Sequence, residues 1–165
     1  ACQSKEEKRI TNDQTAEDSL MTKVQEQTFL YFWDNAEKVS GLAKERTHMD
    51  NIYPENDQDV VTTGGSGFGL MAILVGIERG FITRQEAYER FLHIAEYLKK
   101  ADRFHGAWPH WIHGPSGKVK PFGRRDNGGD LVETAFLAQG LITVREYFRN
   151  GTHEEQALEI GRAHV

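Results

Sequence analysis

The residues most able to do chemistry in this chain lie between Asp102 and Glu133, in the run DRFHGAWPHWIHGPSGKVKPFGRRDNGGDLVE. Two tryptophans, three histidines, three arginines and four carboxylates fall within it. Trp108 and Trp111 offer flat apolar faces with an N–H at the rim, and Asp126, Asn127, Asp130 and Glu133 offer hydrogen-bonding oxygens. A ligand with apolar ring faces and a rim of hydroxyls matches that combination, and a sugar is such a ligand. The plainer alternative is a hydrophobic plug under a long loop. Connections this long are uncommon inside a compact domain unless they carry a function.

Asp130 and Glu133 are the candidate working carboxylates. A helix beginning at Leu131 places both at its N-terminal end, where the dipole and unpaired N–H groups favour negative charge. The same Asp-x-x-Glu spacing also reads as a capping box, with Asp130 accepting from the N3 amide and Glu133 reaching back. Spacing alone favours the capping role. His110, between the two tryptophans, suits a hydrogen bond to a sugar hydroxyl. Arg46, Arg124 and Arg125 can donate to hydroxyls or pair with nearby carboxylates. No metal is expected, because His105, His110 and His113 follow no zinc spacing and the only cysteine is Cys2. The run from Thr62, TTGGSGFG, lacks the Lys-Ser/Thr of a phosphate loop, so no nucleotide is expected.

The elements that must position these groups read as mostly helical. Helix one is expected over Leu20–Ala36, where Leu20, Val24, Phe29, Tyr31 and Phe32 recur at about helical spacing. Helix two follows Gly64-Gly65 with Ser66 as N-cap and ends near Arg79 at Gly80. Its apolar run, Phe68–Ile77, is too short to cross a bilayer and reads as a helix buried on all sides. Helix three opens on the capping box Thr83-Arg-Gln-Glu86, runs to Lys100, and carries one apolar face: Ala87, Phe91, Ile94, Ala95 and Leu98. A β-hairpin is expected near 108–122, turning at Gly114–Gly117. Helix four spans Leu131 to about Phe148. At an offset of 64 residues, helices two and four look like copies: Gly64-Gly65 falls on Gly128-Gly129, Ile73 on Leu137 and Gly76 on Gly140. Alternating buried and amphipathic helices at a fixed period suit an α/α toroid, and interior glycines suit close packing.

With 38% hydrophobic residues, 27% charged residues and 16 glycines, the 165-residue chain fits a globular domain. A net charge of −5 provides no basic footprint for nucleic acid. Residues 1–19 read as a flexible polar tether. Ala1-Cys2 resembles a lipoprotein just after its cleavage site, which would make Cys2 the lipidated residue and the only membrane anchor. The tail Ile160–Val165 matches the translation of a common sequencing adapter and is expected to be non-native.

Four blocks carry a family resemblance: FLYFWDNAEKVSGLAKER (Phe29–Arg46), VTTGGSGFGLMAILVGIERGFIT (Val61–Thr83), ADRFHGAWPHWI (Ala101–Ile112) and DNGGDLVETAFLAQGL (Asp126–Leu141). Together they resemble the bacterial glucoamylase-like family, some of whose members are endo-β-1,2-glucanases. The resemblance implies an all-α fold, with residues 20–159 forming the N-terminal part of a six-hairpin (α/α) toroid. It also implies a cofactor-free glycoside hydrolase acting on a glucan or oligosaccharide. The expected location is the periplasm or the surface of a bacterium, as a lipoprotein. Asp130 and Glu133 become the catalytic candidates, and Arg46, Trp108, His110, Trp111, Asp126 and Asn127 the substrate-binding ones. Glycosidases set two carboxyl groups across the scissile bond, about 5–5.5 Å apart for retention and 6.5–9.5 Å for inversion. Two carboxylates one turn apart on a helix face the sugar from one side, so the general acid is expected beyond Asn150. The competing reading is a non-catalytic carbohydrate-binding protein with an aromatic groove. Four helices cannot close such a ring, so the chain alone is expected to be inactive.

Overall fold

A computed structural model describes residues 3–121, 123–152 and 155, with side chains from Asp18 onward. Cys2 and the segment 160–165 lie outside the described residues. The elements in chain order are α1 (Gln3–Trp33), β1 (Val60–Thr62), α2 (Thr63–Glu78), α3 (Arg84–Lys100), β2 (Trp111–His113), β3 (Lys118–Lys120) and α4 (Leu131–Phe148).

The helix α1 differs from expectation at both ends. Its backbone is helical from Gln3, across the segment whose polarity reads as a tether, and it stops at Trp33 rather than Ala36. Nothing between Gln3 and Trp33 is glycine or proline, and Glu, Lys and Gln are good helix formers, so the local sequence supports the extension without an apolar face. At the other end, Asp34 and Asn35 N–H groups both turn back to the Leu30 carbonyl and close the last turn. The buried Glu37 carboxylate then accepts from Val39 N (2.9 Å) and Ser40 N (2.8 Å), fixing the chain reversal.

Every other helix packs around α2. Its Gly76 and Gly69 leave room for α1: a Cβ there would stand 2.5 Å from Phe29 Cε2 and 2.8 Å from Phe32 Cδ1. Since Phe29 meets Gly76 and Phe32 meets Gly69, α1 runs antiparallel to α2. On another side α4 lies parallel to α2. Glu133 touches Gly64 at one end of the pair, and Tyr147 Oη donates to Glu78 (2.5 Å) at the other. Between those ends the two backbones meet directly. A Cβ on Gly140 would lie 2.5 Å from the Gly67 carbonyl oxygen, and one on Gly67 would overlap the Phe136 carbonyl.

The return path is α3, which starts beside the C-terminal end of α4. There the Arg84 guanidinium sits 4.7 Å from the Tyr147 ring centroid and 4.2 Å from that of Phe148. Its capping box forms as expected: Thr83 Oγ1 accepts from Glu86 N (3.2 Å), and Thr83 N donates to Glu86 (2.8 Å). Ala87, Phe91, Ile94 and Leu98 are buried along its inner face. They join Leu70, Ile73, Ile112, Leu137, Val144 and Phe148 in one core. Each fully buried large apolar side chain contributes about 1.5–3 kcal/mol.

The hairpin forms as β2–β3 around Gly114–Gly117, but it belongs to a three-stranded antiparallel sheet in the order β1-β2-β3. Thr62 pairs with Trp111 and Val60 with His113. Strand β1 is too short for a period-two signal, which hides it in the sequence. The architecture is therefore helical with a small sheet across one end.

Two further expectations change. Helix α2 is not buried on all sides, because Phe68 is 50% and Val75 42% exposed. Phe136 and Ile142 of α4, each 44% exposed, extend the uncovered apolar surface. The 64-residue offset also fails at the helix starts. The N-caps are Thr62 and Asp130, 68 residues apart, so Gly64-Gly65 lie inside α2 whereas Gly128-Gly129 precede α4.

Candidate functional site

Because α2 and α4 are parallel, their N-terminal ends lie side by side, and the segment Trp108–His110 is stitched between them. On the α4 side, Asp130 N donates to the Trp108 carbonyl (2.8 Å). Thr134 Oγ1 accepts from Trp108 N (2.9 Å) and donates to the same carbonyl (3.2 Å). On the α2 side, Thr63 N donates to His110 O (3.1 Å) and Thr63 Oγ1 to Pro109 O (2.5 Å). Five polar contacts thus fix the backbone that presents His110 and Trp111.

Asp130 does cap α4. Its Oδ1 accepts from Val132 N (2.9 Å) and Glu133 N (3.0 Å). Its other oxygen faces His110 Nδ1 at 3.3 Å. The backbone N–H of Glu133 is the chief cause holding the Asp130 carboxyl below the usual range, with Val132 N and His110 adding to it against partial desolvation. Asp130 is therefore a carboxylate with one oxygen committed to structure and the other turned to a histidine.

Glu133 does not complete a capping box on its own helix. Its Oε2 instead accepts from Gly64 N (2.8 Å) in the first turn of α2, with the Thr62 hydroxyl 3.4 Å away. The N-cap of α2, Thr62, makes no side-chain cap bond of its own, so the acceptor for that helix end comes from α4. Ser66, expected as the N-cap, lies inside the helix. It donates from Oγ to Thr62 O (2.6 Å) and accepts from Ala43 N (3.0 Å).

Of the expected sugar-binding residues, the structure gathers some and not others. His110 and Trp111 sit together, half-buried, with ring centroids 5.1 Å apart in an edge-to-face arrangement. Trp108 is a correction. It is 3% exposed, belongs to the hydrophobic core, and directs its indole N–H at the Leu98 carbonyl (3.4 Å). Its alternation with Trp111 across a short extended segment turns the two rings to different environments. Asp126 and Asn127 occupy an exposed turn, closed between Gly123 and Asp126, just before α4.

Arg46 is not brought to this end. It is paired with Glu45 and lies 3.6 Å from Asp57. Lys44 bridges Val61, so Arg46 falls beside Asp59, roughly 10 Å along the strand from Thr62. Sequence reasoning missed Thr62, Thr63, Gly64 and Thr134. The signal available was the TTGG run, set aside because it is not a phosphate loop. Among the described residues, no group of three or more His, Cys, Asp or Glu side chains is placed to hold a metal ion.

The chain is similar to β-1,2-glucan hydrolases and to proteins described as putative glucoamylases. It is 53% identical over 143 residues to an exo-β-1,2-glucooligosaccharide sophorohydrolase (non-reducing end) from Parabacteroides distasonis, covering 86% of this chain and 19% of the relative. The solved endo-β-1,2-glucanase from Chitinophaga pinensis, a complex with sophorotriose and glucose, is 65% identical with a TM-score of 0.84. That match covers 86% of this chain and 34% of the glucanase. A β-1,2-glucanase structure from Parabacteroides distasonis is 51% identical with a TM-score of 0.76, over 86% of this chain and 19% of that one. No family model matches. These similarities agree with the resemblance of its four sequence blocks to the glucoamylase-like glycoside hydrolases. It spans about a fifth to a third of the length of these relatives.

Proposed function

We propose that this chain is part of a longer glycoside hydrolase acting on β-1,2-linked glucan, and that the adjacent N-terminal ends of α2 and α4 form one wall of its sugar site. The observation that carries the reading is the meeting of Asp130, Glu133, His110 and Trp111 at that end, in a chain 65% identical to an endo-β-1,2-glucanase. Trp111 provides the apolar face, His110 and Asp130 the polar rim, and Glu133 a carboxylate with Oε1 left for substrate or water. Both carboxylates arise from one wall, so the group across the scissile bond belongs to another part of the enzyme.

The parallel pair α2–α4, returned by α3, is what successive inner and outer helices of an (α/α) toroid require. The uncovered Phe68, Val75, Phe136 and Ile142 are where further inner helices would pack. Burial of that surface in the whole enzyme follows from the same reading. In this scheme Asp126 and Asn127 reach the sugar from the rim, and Arg46 acts through the loop it braces.

The test is hydrolysis by the whole enzyme. Purified enzyme should release β-1,2-linked oligosaccharides from β-1,2-glucan and leave an α-1,4-glucan intact. Binding of β-1,2-glucan without bond cleavage would replace the hydrolase with a carbohydrate-binding protein.

A further inference from the structure

The double glycine of the TTGG run has a role that helix initiation does not explain. A Cβ on Gly64 would stand 2.6 Å from Glu133 Oε2 and 3.0 Å from its Cδ, so only glycine lets this carboxylate reach the helix end. A Cβ on Gly65 would collide with Cγ2 of Thr62. The bare Gly65 therefore gives the Thr62 methyl a place to rest, which turns Oγ1 of Thr62 toward Glu133 (3.4 Å). Thr62 is held in turn by its pairing with Trp111 and by its N–H bond to Ala43 O (3.0 Å).

We infer that Thr62 and Gly64 are positioning residues for Glu133: the start of α2 is a seat that holds the Oε2 edge of this carboxylate and leaves Oε1 to the substrate. The inference rests on the reading of Glu133 as a working carboxylate. It goes beyond that reading by assigning the orientation of Glu133 to a neighbouring helix rather than to its own. The seat fixes both a point and a direction. The Gly64 N–H lies along α2, and the side chain reaches it from the first turn of α4, so the carboxylate is pinned between two rigid elements rather than on a loop. An ordinary capping box would tie Glu133 back onto α4 and remove it from the space between the helices.

The experiment is a double-mutant cycle in the whole enzyme, assayed on β-1,2-glucan. Gly64→Ala should lower kcat by ~10²-fold, the scale of a misplacement of about 1 Å, with KM within about threefold of wild type. Glu133→Gln should lower kcat by itself. Adding Gly64→Ala to Glu133→Gln should change the residual rate by less than about threefold, because Gly64 acts only through that side chain. Loss of the same factor in both backgrounds would overturn the seat while leaving Glu133 as a working group. Wild-type turnover in Glu133→Gln would instead remove the catalytic reading on which the seat depends. Should Gly64→Ala fail to fold, Thr62 carries the test. Thr62→Val should lower kcat ~3–10-fold, as loss of one long hydrogen bond to the carboxylate would, and Thr62→Ser, which keeps the hydroxyl but not the methyl that aims it, should recover part of that loss. Equal turnover in Thr62→Val and Thr62→Ser would refute the role.

Discussion

Glu133 can be a brace between two helices, a working carboxylate, or both, and two substitutions separate these roles. Glu133→Ala removes the acceptor of the Gly64 N–H, a 2.8 Å bond at the start of α2. Thr62 offers that helix no side-chain cap in its place. A hydrogen bond to a charged group is worth about 1.5–3 kcal/mol, and an N-cap about 0.5–2. The part-buried site puts the loss in the overlap, at ~1.5–2 kcal/mol. The whole enzyme is about three times the matched length, by the 34% coverage of the glucanase, so each kcal/mol moves Tm by only about 1 °C and Glu133→Ala should melt roughly 1–3 °C low. Glu133→Gln keeps an amide oxygen for Gly64 and should recover most of that. It removes the charge and the ability to take a proton. Turnover on β-1,2-glucan should therefore fall by ~10²-fold or more in both variants, the scale of an acid–base group. Differential scanning calorimetry and initial rates on the same preparations give both axes. A Glu133→Gln enzyme that melts as low as Glu133→Ala and turns over like wild type would leave Glu133 as a brace alone.

The two tryptophans should behave in opposite ways. Trp108→Ala should cost ~3–5 kcal/mol of stability by emptying the core, whereas Trp111→Ala should weaken oligosaccharide binding by ~1–3 kcal/mol, read by calorimetric titration. At the α2–α4 contact, Gly140→Ala should destabilise by ~1–3 kcal/mol, because its Cβ would stand 2.5 Å from the Gly67 carbonyl oxygen. Gly128→Ala, whose Cβ would meet only Phe104 at 4.0 Å, should stay within about 0.5 kcal/mol in chemical denaturation. The lowered Asp130 carboxyl stabilises the fold fully above the ordinary Asp value of about 3.9 and loses that contribution as pH falls through its lower folded value. The stability gap between wild type and Asp130→Asn should hold from pH 7 to 5 and close toward pH 3.

The strongly patterned parts of the fold were legible. Helix α3 announces itself through Thr83, Glu86 and one apolar face, and α4 through Asp130 ahead of an apolar run; both match the expected ends. The start of α2 was misread because glycine usually signals a helix boundary. Here Gly64 and Gly65 are small to admit Glu133 and Thr62, a tertiary cause invisible to local pattern. The helical backbone over Gln3–Ser19 was missed because it has no apolar face. The carboxylate acceptor of Glu133 serves a helix start 69 residues earlier in the chain, and no capping rule restricted to neighbours reaches that far. Trp108 shows the converse limit, since residue type could not say which tryptophan faces the core.

The central claim places the sugar against the N-terminal ends of α2 and α4. A crystal structure of the whole enzyme with a β-1,2-linked oligosaccharide measures this directly. A sugar ring should lie against Trp111, with a hydroxyl or an ordered water about 2.6–3.2 Å from Glu133 Oε1 while Oε2 remains on Gly64. An oligosaccharide bound elsewhere, with the space before Asp130 and Glu133 closed by protein, would contradict the account.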